Sequence, residues 1–169
     1  TQTFASPSTS KIISDFIKKY PNVFHVVYDS ISDSKALDAF QIAYGVRALP
    51  TYDFSNAEYI VSVGADFLGD WQGGDHDSGY VKGRIPERNK DGKANMSKHI
   101  QIESNMSITG SNADMRIPLS PSQQKVALAK IFGYISGKDV GSELPSKLDE
   151  SLKKISQDLK KAGSKGTTW

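Results

Sequence analysis

Tyr59-Ile60-Val61-Ser62-Val63 is a short β-branched apolar run that stops at Gly64-Ala65-Asp66, and a glycine-punctuated stretch, Phe67-Leu68-Gly69-Asp70-Trp71, follows at once. Strands that are apolar on both sides belong to sheets covered on both faces, which are the parallel sheets of α/β proteins. In such sheets ligands dock outside the carboxyl ends of the strands. The run therefore constrains both the fold class and the place where a site would sit.

The flanking pattern agrees with that class. Ser6-Pro7 is a helix start, with Ser6 able to cap and Pro7 suited to the first helical position. Ile12, Ile13, Phe16, Ile17 and Tyr20 follow at helical spacing, and Pro21 stops them. Residues 23–28 read as a buried strand closing on Asp29. Ser32 or Asp33 is placed to cap a second helix carrying Ala36, Leu37, Phe40, Ala43 and Tyr44, which Gly45 ends. Residues 59–64 form the next strand.

Periodicity vanishes from residue 69 to 95, where only a turn or two of helix fits, near residues 78–83. A loop of that length is uncommon in a compact domain unless it is functional or mobile. Residues 99–104 and 115–119 return to strand pattern. Ser120-Pro121 repeats the capping arrangement before Val126, Leu128, Ile131, Phe132 and Ile135, and Gly137 ends that helix. Leu148, Leu152, Ile155 and Leu159 mark a last amphipathic helix, stopped by Gly163.

Alternating strands and helices predict an α/β fold: a three-layer Rossmann-like domain with a mainly parallel sheet and helices on both faces. The expected layout is one domain over residues 1–137, with a long loop at 69–97. Residues 138–169 supply a linker and a C-terminal helix packed on the same domain. The opening Thr-Gln-Thr-Phe and the closing Gly-Thr-Thr-Trp both resemble interrupted strands, which suggests a segment of a longer polypeptide.

Charge narrows the partners. Residues 1–137 hold 14 basic and 14 acidic side chains, and residues 138–169 hold 7 against 5, giving the net +2. Nucleic-acid binders concentrate basic side chains on one face among stacking aromatics, and no such cluster occurs. The absence of cysteine removes disulfides and Cys-ligated zinc or iron–sulfur clusters from this segment. No run of about 18 apolar residues is present to span a bilayer.

Candidate chemistry is sparse. Gly64, Ala65 and Asp66 are either a ligand-facing turn or a tight strand exit with a capping carboxylate. Asp29 could accept from a ribose or cap the loop before Ser32. His76 lies among Asp70, Asp75 and Asp77, but a glycine-rich loop supplies neither the convergence nor the outer shell a metal needs. His25 and His99 alternate with apolar neighbours and read as packing residues. Ser62, Ser104, Ser107 and Thr109 lack a nucleophile elbow and an ordered His/Asp pair. Phe67, Trp71 and Tyr80 in the long loop suggest a docking surface; the alternative is that they fold back to cover the sheet end. No catalytic or metal-ligating set is assigned.

Several segments together carry a family likeness: Ser6-Pro7-Ser8-Thr9, Tyr28-Asp29, Arg47-Ala48-Leu49-Pro50, residues 60–74, residues 103–110 and Asn112-Ala113-Asp114. In order and spacing they resemble the molybdopterin-oxidoreductase-like part of the large iron–sulfur subunit of bacterial alternative complex III. That complex is a membrane-bound, quinol-oxidising assembly which passes electrons to a periplasmic carrier or an oxidase. The likeness spans roughly residues 5–137.

In the wider molybdopterin oxidoreductases, loops at the matching places hold a molybdopterin guanine dinucleotide. Carried over, the resemblance implies Ser6, Ser8, Asp29, Gly64, Ala65, Asp66, Glu103, Ser104 and Asp114 as cofactor-binding or vestigial positions. The sequence departs from the wider pattern with Asp66 where Asn is frequent and with Glu103-Ser104-Asn105 in place of Asp-Pro-Arg. Carboxylates about 4 Å apart repel by several kcal/mol at an effective dielectric near 20, so an acidic rim opposes a pyrophosphate. Arg47, Lys82, Arg84 and Arg116 could approach it from neighbouring loops.

The implied role is structural, without a cofactor in this segment. The implied partners are the other subunits and a parent chain carrying iron–sulfur clusters, on the periplasmic side of the bacterial inner membrane. The alternative is a module that still holds a molybdopterin guanine dinucleotide or a guanine nucleotide at the strand ends.

Overall fold

The computed structural model describes the chain except residues 5, 30–33, 89–91, 93, 142 and 169. It divides into two compact units, Thr1–Pro50 and Thr51–Trp169.

In the first unit, helix α1 (Pro7–Lys19) opens with Ser6 in extended conformation, its Oγ accepting from the Thr9 amide at 3.4 Å, and with Pro7 in the first turn. It closes at Tyr20, whose N–H returns to the Phe16 carbonyl just before Pro21. Helix α2 (Ser34–Tyr44) ends on Gly45, which adopts φ +76° and donates its amide to Gln41. A left-handed residue there is the usual glycine helix stop. The expected caps of α2, Ser32 and Asp33, lie outside the described residues.

Residues 23–28 depart from expectation: they form no strand, and they are exposed. Among the described residues their long-range backbone bonds go to Thr1, through Thr1 N to Val26 O at 3.0 Å and Tyr28 N to Thr1 O at 2.8 Å, while Val23 N turns back locally to Tyr20 O. Two bonds to one residue do not make a ladder. Phe24 and Tyr28 are 85% and 77% exposed, while His25 and Val27 line a cavity with Ile13 and Ile17 of α1.

The second unit is a parallel α/β sheet. Strands β1 (Tyr59–Val63), β4 (Lys98–Glu103), β5 (Met115–Pro118) and β6 (Gly166–Thr168) lie in the order β5-β4-β1-β6, every pair parallel. Ile60 stands beside His99, and Ile102 beside Ile117. The stretch expected as a loop contains a single 3₁₀ turn (Trp71–Gly73), helix α3 (Asp77–Arg84) and a two-residue hairpin of β2 (Glu87–Arg88) and β3 (Ala94–Asn95). Helix α4 (Ile108–Ser111) is a single turn after β4, and α5 (Pro121–Ser136) and α6 (Ser146–Ala162) are the long helices.

Strand alternation sends side chains to two different environments. Val61, Ile100 and Ile102 face α5 and α6, where Ala127, Ile131, Leu152, Ile155 and Leu159 complete an apolar cluster. Each such Leu or Ile contributes about 1.5–3 kcal/mol by leaving water. On the opposite face Ile60 packs with Phe54, Phe67 and Tyr80. Phe67 and Tyr80 are 1% and 4% exposed, so these rings fold back over the sheet. The expected docking surface is corrected for these two rings: the second face of an α/β sheet needs cover, and Phe67 and Tyr80 supply it.

Helix α5 begins with a full capping box, Ser120 and Gln123 satisfying each other's backbone amides, and ends on Gly137 in the left-handed region. This places the start of α5 beside the carboxyl ends of β1 and β4, where Gln124 donates to Ser104 Oγ at 2.8 Å.

Candidate functional site

The carboxyl ends of β1 and β4 are adjacent, so the turns that leave them share one edge of the sheet. After β1 the chain turns through Gly64, whose φ of +69° suits a residue without Cβ. A side chain there would also press on the Gln124 amide oxygen, 2.8 Å from the Cβ position. Ala65 is buried, and its carbonyl accepts from Ser62 Oγ at 3.0 Å and Gln101 Nε2 at 3.2 Å.

Asp66 faces inward. Its Oδ1 accepts from the Thr109 amide at 3.0 Å and the Thr109 hydroxyl at 2.7 Å. Thr109 Oγ1 accepts in turn from the Leu68 amide at 2.9 Å. The carboxylate thereby ties the exit of β1 to α4.

Glu103, at the end of β4, is 4% exposed and fully engaged. Oε1 takes Arg116 Nε at 2.6 Å and the Ser107 amide at 3.2 Å; Oε2 takes Ser107 Oγ at 2.6 Å and Gln101 Nε2 at 3.2 Å. Burial pushes this carboxyl upward, but Ser107, Arg116 and Gln101 outweigh burial and hold it below the usual range. Glycine at 110 makes room for it, since a Cβ there would collide with the Glu103 carboxylate; one at Gly69 would collide with Asp66.

Asp114 does not join this rim. It stands before β5, at the amino-terminal edge, where Arg84 grips it in two bonds of 2.7 and 2.8 Å and the His99 amide adds a third at 2.7 Å. That bidentate pair holds the Asp114 carboxyl below its ordinary range. Ser104 is exposed, its hydroxyl accepting from Gln124.

The remaining candidates belong to the first unit and are locally satisfied. Ser6 caps α1, Ser8 Oγ lies 3.0 Å from Ser6 Oγ, and Asp29 accepts from the amide and hydroxyl of Thr3. The Thr3 hydroxyl and amide lower the Asp29 carboxyl. Arg47 pairs with Asp38 at 3.2 Å.

Sequence reasoning did not anticipate a polar ladder on the second face of the sheet. His99, Gln101 and Glu103 occupy alternate positions of β4 and are buried. Gln101 spends both amide hydrogens on Ala65 O and Glu103, so its Oε1 is the acceptor for His99 Nε2 at 3.3 Å. His99 Nδ1 lies 3.1 Å from the Tyr80 hydroxyl, whose single hydrogen also has the Asn112 carbonyl within reach at 3.1 Å. Burial lowers His99 to about 4, so it is neutral at pH 7. The signal was present as His-Ile-Gln-Ile-Glu, a period-two pattern with a polar face.

Chemically, this edge is a set of carboxylates locked into the scaffold. The amides of Gly64, Leu68, Ser107 and Leu119, all at strand exits, donate to Ile102 O, Thr109 Oγ1, Glu103 Oε1 and Glu103 O. A pyrophosphate needs such donors turned outward. These residues do not fit one. Ser62 donates to a carbonyl and has no base beside it. Among the described residues no three His, Cys, Asp or Glu side chains converge as metal ligands, and no helix is long and apolar enough to cross a membrane.

No protein-family model matches the chain, and no curated protein matches it.

Proposed function

We propose that this chain is a structural, Rossmann-like part of a molybdopterin-oxidoreductase-like subunit in a quinol-oxidising respiratory complex. On this reading it holds no cofactor of its own. Electrons pass through iron–sulfur centres elsewhere in the parent chain, on the periplasmic side of the bacterial inner membrane, and the other subunits are its partners.

One observation carries the reading. Two adjacent parallel strands end in Gly64-Ala65-Asp66 and Glu103-Ser104-Asn105, which by the resemblance match the places where the wider family holds its dinucleotide, and both carboxylates accept internal hydrogen bonds. An anionic, inward-bonded edge keeps the architecture of a dinucleotide site and opposes its ligand.

The test is thermal unfolding of the full chain with GTP, GDP or a pterin dinucleotide. A ligand at a hundredfold excess over its dissociation constant would stabilise by about 2.7 kcal/mol. The expected result is an unchanged melting temperature up to millimolar ligand. A saturable rise that Ser104 and Gly64 variants abolish would establish a binding module instead.

A further inference from the structure

His76 is 7% exposed, and neither ring nitrogen has a hydrogen-bond partner. It is caged by aromatic rings: Tyr52 and Phe54 at 5.9 Å and Trp71 at 5.7 Å between centroids. Tyr52 and Trp71 stack on each other at 5.3 Å. A buried polar ring without partners is a destabilising element, since it loses its bonds to water and gains none.

The backbone around it is strained as well. Gln72 and Asp75 have φ of +52° and +68°, in the left-handed region that non-glycine residues disfavour, and Gly74 between them has φ +82° with ψ −150°. Both flanks are pinned. On one side the Trp71 and Gly69 amides return to Asp66 O, and Leu68 is tied to Thr109. On the other, α3 sits so close to the preceding segment that a Cβ at Gly79 would lie 3.2 Å from Phe54 N.

We infer that residues 72–76 form a two-state strap: a closed state that buries His76 inside the Tyr52–Phe54–Trp71 cage, and an open state that gives the imidazole to water and bares the cage. Two orphaned ring nitrogens and two left-handed non-glycine residues fall within the strap, whereas the segments on either side are hydrogen-bonded or closely packed. The strap is therefore the lowest-energy place for this unit to open, and it controls access to the aromatic layer on the sheet's second face. The inference does not depend on the proposed function.

Hydrogen exchange of the full chain tests it. Amides of residues 72–76 should exchange through local opening, far faster than those of β1 and β4. His76→Leu removes the orphaned nitrogens while filling the cage, and should slow strap exchange about tenfold or more. Asp75→Gly relieves the left-handed backbone at an exposed position and should slow it in the same direction. His99→Leu, which breaks a satisfied ladder, should accelerate exchange in β4 instead. Unchanged or faster strap exchange in both His76→Leu and Asp75→Gly overturns the inference, as does strap protection in the unaltered chain equal to that of the sheet.

Discussion

Asp66 takes two hydrogen bonds from a single residue, Thr109, one from its amide and one from its hydroxyl. The pair joins the end of β1 to the turn after β4, across more than forty residues of sequence. Asp66→Ala should therefore cost about 1–3 kcal/mol, because the Thr109 amide is left without its acceptor. Asp66→Asn keeps one acceptor and loses the charge, so a smaller loss is expected, with no gain of phosphate affinity. Urea unfolding and phosphate titration of the two variants check this; unchanged stability in Asp66→Ala would mean the carboxylate is not structural.

Gly110 and Glu103 form a matched pair. A methyl at position 110 would occupy the space of the Glu103 carboxylate, so Gly110→Ala should destabilise by about 2 kcal/mol through overpacking. Glu103→Ala is also destabilising, as it strands Arg116 and Ser107. In the double variant the clash is gone, so the two costs should fall short of additivity by about 1 kcal/mol or more. A double-mutant cycle in urea measures that coupling directly.

Acid should weaken the fold in two stages. His99 is depressed from 6.5 to about 4 by burial. The unfolded chain thus binds a proton that the folded chain refuses. The stability it contributes is complete above pH 6.5 and is lost as pH falls toward 4, amounting to about 3 kcal/mol. Glu103 and Asp114 are also held low, but their contribution is lost only below the ordinary carboxylate range, near pH 4. His99→Leu should flatten the pH 6.5–4 limb of stability against pH and leave the lower limb in place.

Ser120 closes the capping box of α5 with Gln123. Ser120→Ala should cost about 1 kcal/mol, and Ser120→Asp should cost little, since the first turn of α5 carries no acidic residue. Thermal unfolding of both variants separates a lost cap from a general surface effect.

Much of this architecture was legible because local signals and tertiary demands agree. Ser6-Pro7, Ser120-Pro121, Gly45, Gly137 and Gly163 mark helix ends through backbone geometry that few other residues supply. Residues 59–63 and 98–103 could be read as strands because Val61, Ile100 and Ile102 are packed by helices. Residues 23–28 carry the same apolar composition, yet composition does not create a neighbouring strand, and among the described residues Thr1 is their long-range backbone partner. The candidate edge was legible as a place and not as a chemistry. Whether Asp66 and Glu103 face solvent depends on Thr109, Ser107 and Arg116, which approach from later turns that no local pattern foretells. Asp114 shares the acidic composition of that edge but sits at the other end of the sheet, since it precedes its strand while the other two follow theirs.

The central claim is that the inward-bonded carboxylates of Asp66 and Glu103 leave this chain without a dinucleotide. It is tested most directly by purifying the full chain natively, denaturing it, and measuring released pterin fluorescence and guanine nucleotide against protein concentration. The expected result is neither compound above background. Stoichiometric release of either from folded protein would contradict the account.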